Sequence, residues 1–104
     1  MGDRYELRYL PLFYDDLADL ADYITYRLKN PEAAKRLVDE VERSILERRE
    51  CPKAFEPYQS HRKRPYPYYR SYVGNYVVYY VVIGNVMEVR RILYGKREME
   101  TLLD

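Results

Sequence analysis

The residues of this chain that could do chemistry are arginines and tyrosines, and they concentrate between Tyr68 and Arg97. Arg70, Arg90, Arg91 and Arg97 bring forked guanidinium donors able to hold two oxygens of a phosphate or carboxylate at once, and Tyr69, Tyr72, Tyr76 and Tyr94 bring ring faces able to stack on bases. Held on a rigid support, such a set could bind RNA. By positioning and charge stabilisation it could also assist attack of a ribose 2′-hydroxyl on its own phosphate. The same guanidiniums could instead pair with an acidic protein, and composition does not separate the two. A second cationic group, His61, Arg62, Lys63 and Arg64, lies just upstream. His61, with an ordinary pKa of about 6.5, would suit proton transfer, although a bystander is the commoner fate of a histidine in a basic loop.

Other chemistries lack their signatures. There is no phosphate-cradling glycine loop, no Cys/His spacing for a metal and no nucleophile elbow, so neither metal nor cofactor is expected. Asp15, Asp16, Asp19 and Asp22 resemble a carboxylate cluster, but their steps of three and four place them away from the apolar stripe of the same segment, as a solvated helix face. Cys51 is the one cysteine, which rules out an internal disulfide and suits a cytoplasmic protein. A nucleophilic role for it would need His61 across a loop.

Net charge is +1, but its distribution is uneven. Residues 1–51 hold nine Lys/Arg against twelve Asp/Glu, residues 52–97 nine against two, and residues 98–104 three acids. The second half is therefore basic and rich in tyrosine, the footprint of a surface for nucleic acid or an acidic partner. Attraction between a basic sheet half and an acidic helical half explains the same pattern. At 104 residues, with 47% apolar and 34% charged content, the chain reads as one domain over 1–104, with no signal peptide and no membrane span.

These groups need elements to position them. Tyr5–Leu10 alternates as a half-buried strand. After Pro11, the residues Phe13, Leu17, Leu20, Ile24 and Leu28 form one helical stripe to about Lys29. Asn30-Pro31 then opens a second helix, with Ala34, Leu37, Val38, Val41 and Ile45 inward as far as about Arg49, before Cys51-Pro52 stops it. Lys53–Pro67 has no periodicity and reads as an exposed loop. Gly74-Asn75 and Gly84-Asn85 each suit a two-residue hairpin loop, so three consecutive strands follow, with Tyr76–Ile83 in the middle. The fold class is α+β in the order β-α-α-β-β-β, an antiparallel sheet covered on one face by an αα-hairpin and open on the other. Strand one must join an outer edge, and periodicity does not say which.

This order resembles the RelE/ParE superfamily of bacterial toxin-antitoxin toxins. The likeness rests on Pro11, the helix break Asn30-Pro31-Glu32-Ala33-Ala34, the turn and strand Gly74-Asn75-Tyr76-Val77-Val78-Tyr79, and the terminal run Val89-Arg90-Arg91-Ile92-Leu93-Tyr94-Gly95-Lys96-Arg97-Glu98. The resemblance implies a toxin held inactive by a cognate antitoxin. It also implies one of two targets, DNA gyrase in the ParE branch or ribosome-bound mRNA in the RelE branch; a homodimer is a further possible arrangement. In RelE-like members an arginine follows the glycine of the last strand, and Arg97 holds that place. Tyr76 stands where a second arginine is usual, and Leu103 roughly where a C-terminal tyrosine is. The last strand of ParE-like members commonly reads Arg, two apolar residues, His, Gly, against Arg91-Ile92-Leu93-Tyr94-Gly95 here. The likeness therefore leans to the ParE side, with plasmid stabilisation and growth inhibition as the implied role and a metal-free endoribonuclease as the alternative. With Arg97 from the resemblance and the rest from the residues themselves, the catalytic candidates are Arg97, Arg70, Arg91 and Tyr94, with His61, Arg62, Lys63, Arg64, Tyr72, Tyr76, Arg90 and Lys96 binding RNA or another target.

Overall fold

The computed structural model describes residues 4–58 and 63–95. His61, Arg62, Lys96 and Arg97 lie outside them. The first strand, β1 (Glu6–Tyr9), is followed by helix α1 (Pro11–Asp22), with Pro11 at its opening where no amide partner is needed. The helix does not run straight on to Lys29. A π-helical turn, Tyr23–Arg27, widens its end, with the Leu28 amide donating to the Tyr23 carbonyl at 3.1 Å, and Lys29 stops it in the left-handed region at φ 53°. Helix α2 (Pro31–Arg48) begins as the sequence requires, since Asn30 Oδ1 accepts the Ala33 amide at 3.1 Å. Among the described residues no helix is long and apolar enough to cross a membrane.

Strands β2 (Tyr69–Val73), β3 (Tyr76–Ile83) and β4 (Val86–Tyr94) form the expected meander. Its two tight turns have Gly74 at φ +58° and Gly84 at φ +60°, while neither asparagine has a positive φ; this is the arrangement of a type II′ loop, with glycine at the first central position. The sheet order is β1-β4-β3-β2. Strand one thus joins β4, and it does so in parallel, so the sheet is mixed rather than antiparallel throughout. The α1–α2 hairpin carries the chain back across the sheet face, which is what a parallel return to β4 needs.

Both helices lie on one face. Phe13, Ile24, Ala34, Leu37, Val41 and Ile45 meet Tyr69, Val78, Tyr80, Met87, Val89 and Ile92 in the main core. Tyr80 anchors the layer: its hydroxyl donates to the Pro52 carbonyl at 2.7 Å and accepts from Arg48 Nη1 at 3.1 Å. The far face is not open, as the pattern alone suggested. A second apolar cluster of Tyr68, Val77, Tyr79, Val81 and Leu93 sits there, with Tyr58 and Ile83 packed against it. The aperiodic connection between α2 and β2 supplies that cover, held where the Tyr58 amide donates to the Tyr68 carbonyl at 2.6 Å.

Candidate arginine–tyrosine site

The far face carries a band of tyrosines and arginines built on three strands. Tyr79 of β3, 2% exposed, packs edge-to-face against Tyr58 and against Tyr68, with ring centroids 6.4 and 6.3 Å away. The Arg70 guanidinium of β2 stands over the Tyr58 ring at 5.1 Å, and those of Arg64 and Arg90 over the Tyr68 ring at 5.1 and 5.7 Å. Burial, the largest influence, pushes the Tyr79 hydroxyl up to about 12; Arg70 pulls the other way, and Tyr72 and Tyr58 add to the rise. This hydroxyl is therefore a neutral donor, not a base, at physiological pH.

Two carboxylates organise the cations. Glu88 of β4 is 5% exposed and accepts from Arg8 Nη1 at 3.0 Å and Arg90 Nε at 2.8 Å. Burial alone would raise its pKa; the hydrogen bonds from Arg90 and Arg8 outweigh that and hold the carboxyl below its ordinary value. Arg90 also donates to the Tyr68 hydroxyl at 3.4 Å. On the rim, Arg91 donates through Nε and Nη2 to Asp16 of α1 at 2.7 and 2.8 Å. Strand β1 ends at Tyr9, leaving the edge of β4 bare beyond Val89, and Asp16 also accepts the Ile92 amide at 3.1 Å.

A β-bulge explains why neighbouring arginines share this face. The β3–β4 register slips between Tyr79 and Tyr80, so that Tyr80 faces Val89 and Tyr79 faces Arg91, with Arg90 as the extra residue. Arg91 is thereby in register with a far-face tyrosine, while Arg90 bonds to far-face Glu88 and Tyr68. Strict alternation would have sent the two to opposite sides.

The structure disperses the remaining candidates. Lys63 is exposed beside Arg64, and Tyr72, 63% exposed, is in register with far-face Val77. Tyr76 and Tyr94 lie in the helix-side layer, where they meet edge-to-face with ring centroids 5.8 Å apart. Two expectations need correcting. Arg91 is not displayed toward solvent but is closed onto Asp16, and Asp16 is not part of a solvated face; their side chains are 17% and 12% exposed. Sequence reasoning passed over Arg8, Glu88, Tyr58, Tyr68 and Tyr79 as site residues. A lone acidic residue in a strand whose other charges are both arginines was the signal available for Glu88.

Comparisons agree with this architecture. The family model described as ParE toxin of type II toxin-antitoxin system, parDE, matches residues 7–99. By sequence, no curated protein matches. The fold is similar to that in a structure of the chromosomal ParDE TA system from P. aeruginosa, at 15% identity over 88% of this chain and 97% of that one, with a TM-score of 0.70. It is also similar to the archaeal RelE-RelB complex from Pyrococcus horikoshii OT3, at 22% identity over 94% and 100% of the two chains, with a TM-score of 0.51. At such identities these two likenesses speak for the fold, and the family match speaks for kinship: the chain belongs to the ParE toxin family of type II toxin-antitoxin systems, within the RelE/ParE superfamily.

Proposed function

We propose that this toxin arrests growth by binding an essential target such as DNA gyrase, and that a cognate antitoxin neutralises it by direct contact. The observation that carries the binding reading is the dispersal of the catalytic candidates within the described residues. Arg91 is closed onto Asp16, Arg70 stands over Tyr58, and Tyr94 faces Tyr76 in the other layer. General acid–base or charge-stabilising catalysis needs such groups to converge on one reacting centre within hydrogen-bond reach. A binding surface needs only that its cations share a face, and Arg70 and Arg91 both stand in register with Tyr79 of the far face. The family match and the structural likeness to proteins solved in toxin–antitoxin complexes support the antitoxin as a partner.

The test is induced expression in growing bacteria, followed by co-expression with whichever small protein is encoded beside it. Growth arrest with a DNA-damage response and intact mRNA, relieved by the second gene, is the expected result. Arrest accompanied by new mRNA 5′ ends that vanish in an Arg97→Ala variant would favour a ribosome-dependent endoribonuclease instead. Unimpaired growth would remove both.

A further inference from the structure

We propose that the arginine–tyrosine band of the far sheet face is a docking surface for an acidic polypeptide segment, with Glu88 as an internal carboxylate that competes with that segment for Arg8 and Arg90. The inference rests on the binding reading above and names the chemistry of the partner. Three features carry it.

The first is charge. One carboxylate, Glu88, serves two guanidiniums, Arg8 and Arg90, so that triad retains a positive charge. Arg70, at the other end of the tyrosine row, rests on a neutral ring and makes no carboxylate contact among the described residues. The Arg8 side chain is 53% exposed, so an incoming anion can reach it.

The second is the geometry around Glu88. Its two oxygens each take one guanidinium, at 3.0 and 2.8 Å, distances typical of charge-assisted bonds. The face therefore already holds a carboxylate in the way it would hold one from outside, and the resident anion sets how strongly an external one is bound.

The third feature separates a peptide from a nucleic acid. Base recognition on single strands needs open ring faces. Tyr68 and Tyr79 are 4% and 2% exposed, are packed edge-to-face, and Tyr68 is already covered by two guanidiniums. Forked donors remain on offer, while the buried row of rings beneath them gives no stacking platform and the exposed Tyr72 stands to one side on the edge strand β2.

The test uses the purified full chain with two fluorescent probes, a short peptide of alternating glutamate and alanine and a single-stranded RNA of matched length and charge. The peptide is expected to bind more tightly than the RNA. Arg70→Ala and Arg8→Ala should each weaken peptide binding by roughly five- to tenfold, just under the low end of what close interfacial charge pairs give, as suits partly exposed groups. Glu88→Gln should strengthen it several-fold while thermal melting shows a folded protein. A purely structural Glu88 would give the opposite sign, because its loss would loosen Arg8 and Arg90. Tighter binding of RNA, or a folded Glu88→Gln variant with equal or weaker peptide binding, overturns the proposal. Should Glu88→Gln not fold, unchanged binding in the two arginine variants would overturn it equally. Peptide binding without growth arrest would leave the docking surface standing and remove the toxin reading; growth arrest without peptide binding would do the reverse.

Discussion

Asp16 on α1 and Arg91 on β4 are joined by two parallel hydrogen bonds of 2.7 and 2.8 Å, and the same carboxylate takes the Ile92 amide at 3.1 Å. One side chain thus covers the edge that β1 leaves bare and fixes the rim of the arginine face. Asp16→Ala takes two charge-assisted bonds from a largely buried guanidinium and removes the acceptor of an edge amide, and is expected to cost about 2–3 kcal/mol. For a domain of this size that lowers Tm by roughly 10 °C or more in a thermal melt followed by circular dichroism. Asp16→Asn, which keeps an acceptor for Ile92, should lose less. A Tm within a degree or two of wild type for Asp16→Ala would show that the clasp does not hold the structure.

Glu88 makes stability depend on acid. Its folded pKa lies below the 4.5 of an unperturbed glutamate, so the stabilisation it supplies is fully present above that value and is lost as pH falls through the folded pKa. Urea unfolding should therefore show a gap between wild type and Glu88→Gln that is constant near neutrality and narrows below about pH 4.5. A gap independent of pH would mean that the carboxylate charge is not what Arg8 and Arg90 hold.

Tyr79 works at the other end of the scale. Its folded pKa of about 12 exceeds the ordinary 10.0, so its contribution is complete below pH 10.0 and is lost as pH rises through 12. Tyr79→Phe should match wild type near neutral pH, because the Tyr79 hydroxyl makes no hydrogen bond within the described residues. The variant should then become the more stable of the two between pH 10 and 12. Parallel alkaline unfolding curves for the two proteins would contradict this placement of the ring.

Much of this fold was legible in the sequence, and the parts that were not share a cause. Tyr76–Ile83 was bounded by its two Gly-Asn turns and matches β3 residue for residue; the stripe from Ala34 to Ile45 marks the buried side of α2. These are local, periodic signals. The parallel pairing of Glu6–Tyr9 with Val86–Val89 is a relation between distant segments, on which periodicity is silent. The bulge at Arg90 breaks period two inside a strand, so alternation alone would place two adjacent arginines on opposite faces. Asp16 looked solvated because helical spacing reports only which residues face the core stripe. It does not report that a strand edge passes beside the helix. Tyr58 and Tyr68 belong to or border an aperiodic connection, and their cover of the far face became visible only in three dimensions.

Tyr80 ties the end of α2 to the sheet through Pro52 and Arg48. Tyr80→Phe leaves the Pro52 carbonyl without its 2.7 Å donor in a buried setting and is expected to cost about 1–2 kcal/mol. The measurement is the urea midpoint, which should fall at an unchanged m-value. No shift in the midpoint would show that the hydroxyl does not brace the helix.

Binding, in place of chemistry, is the central proposal for this protein. Its most direct test is a titration of purified DNA gyrase with the purified chain, read as supercoiling of relaxed plasmid. Loss of supercoiling with increasing chain, weakened by Arg70→Ala, is the predicted result. Full supercoiling in a large molar excess of folded chain would contradict it.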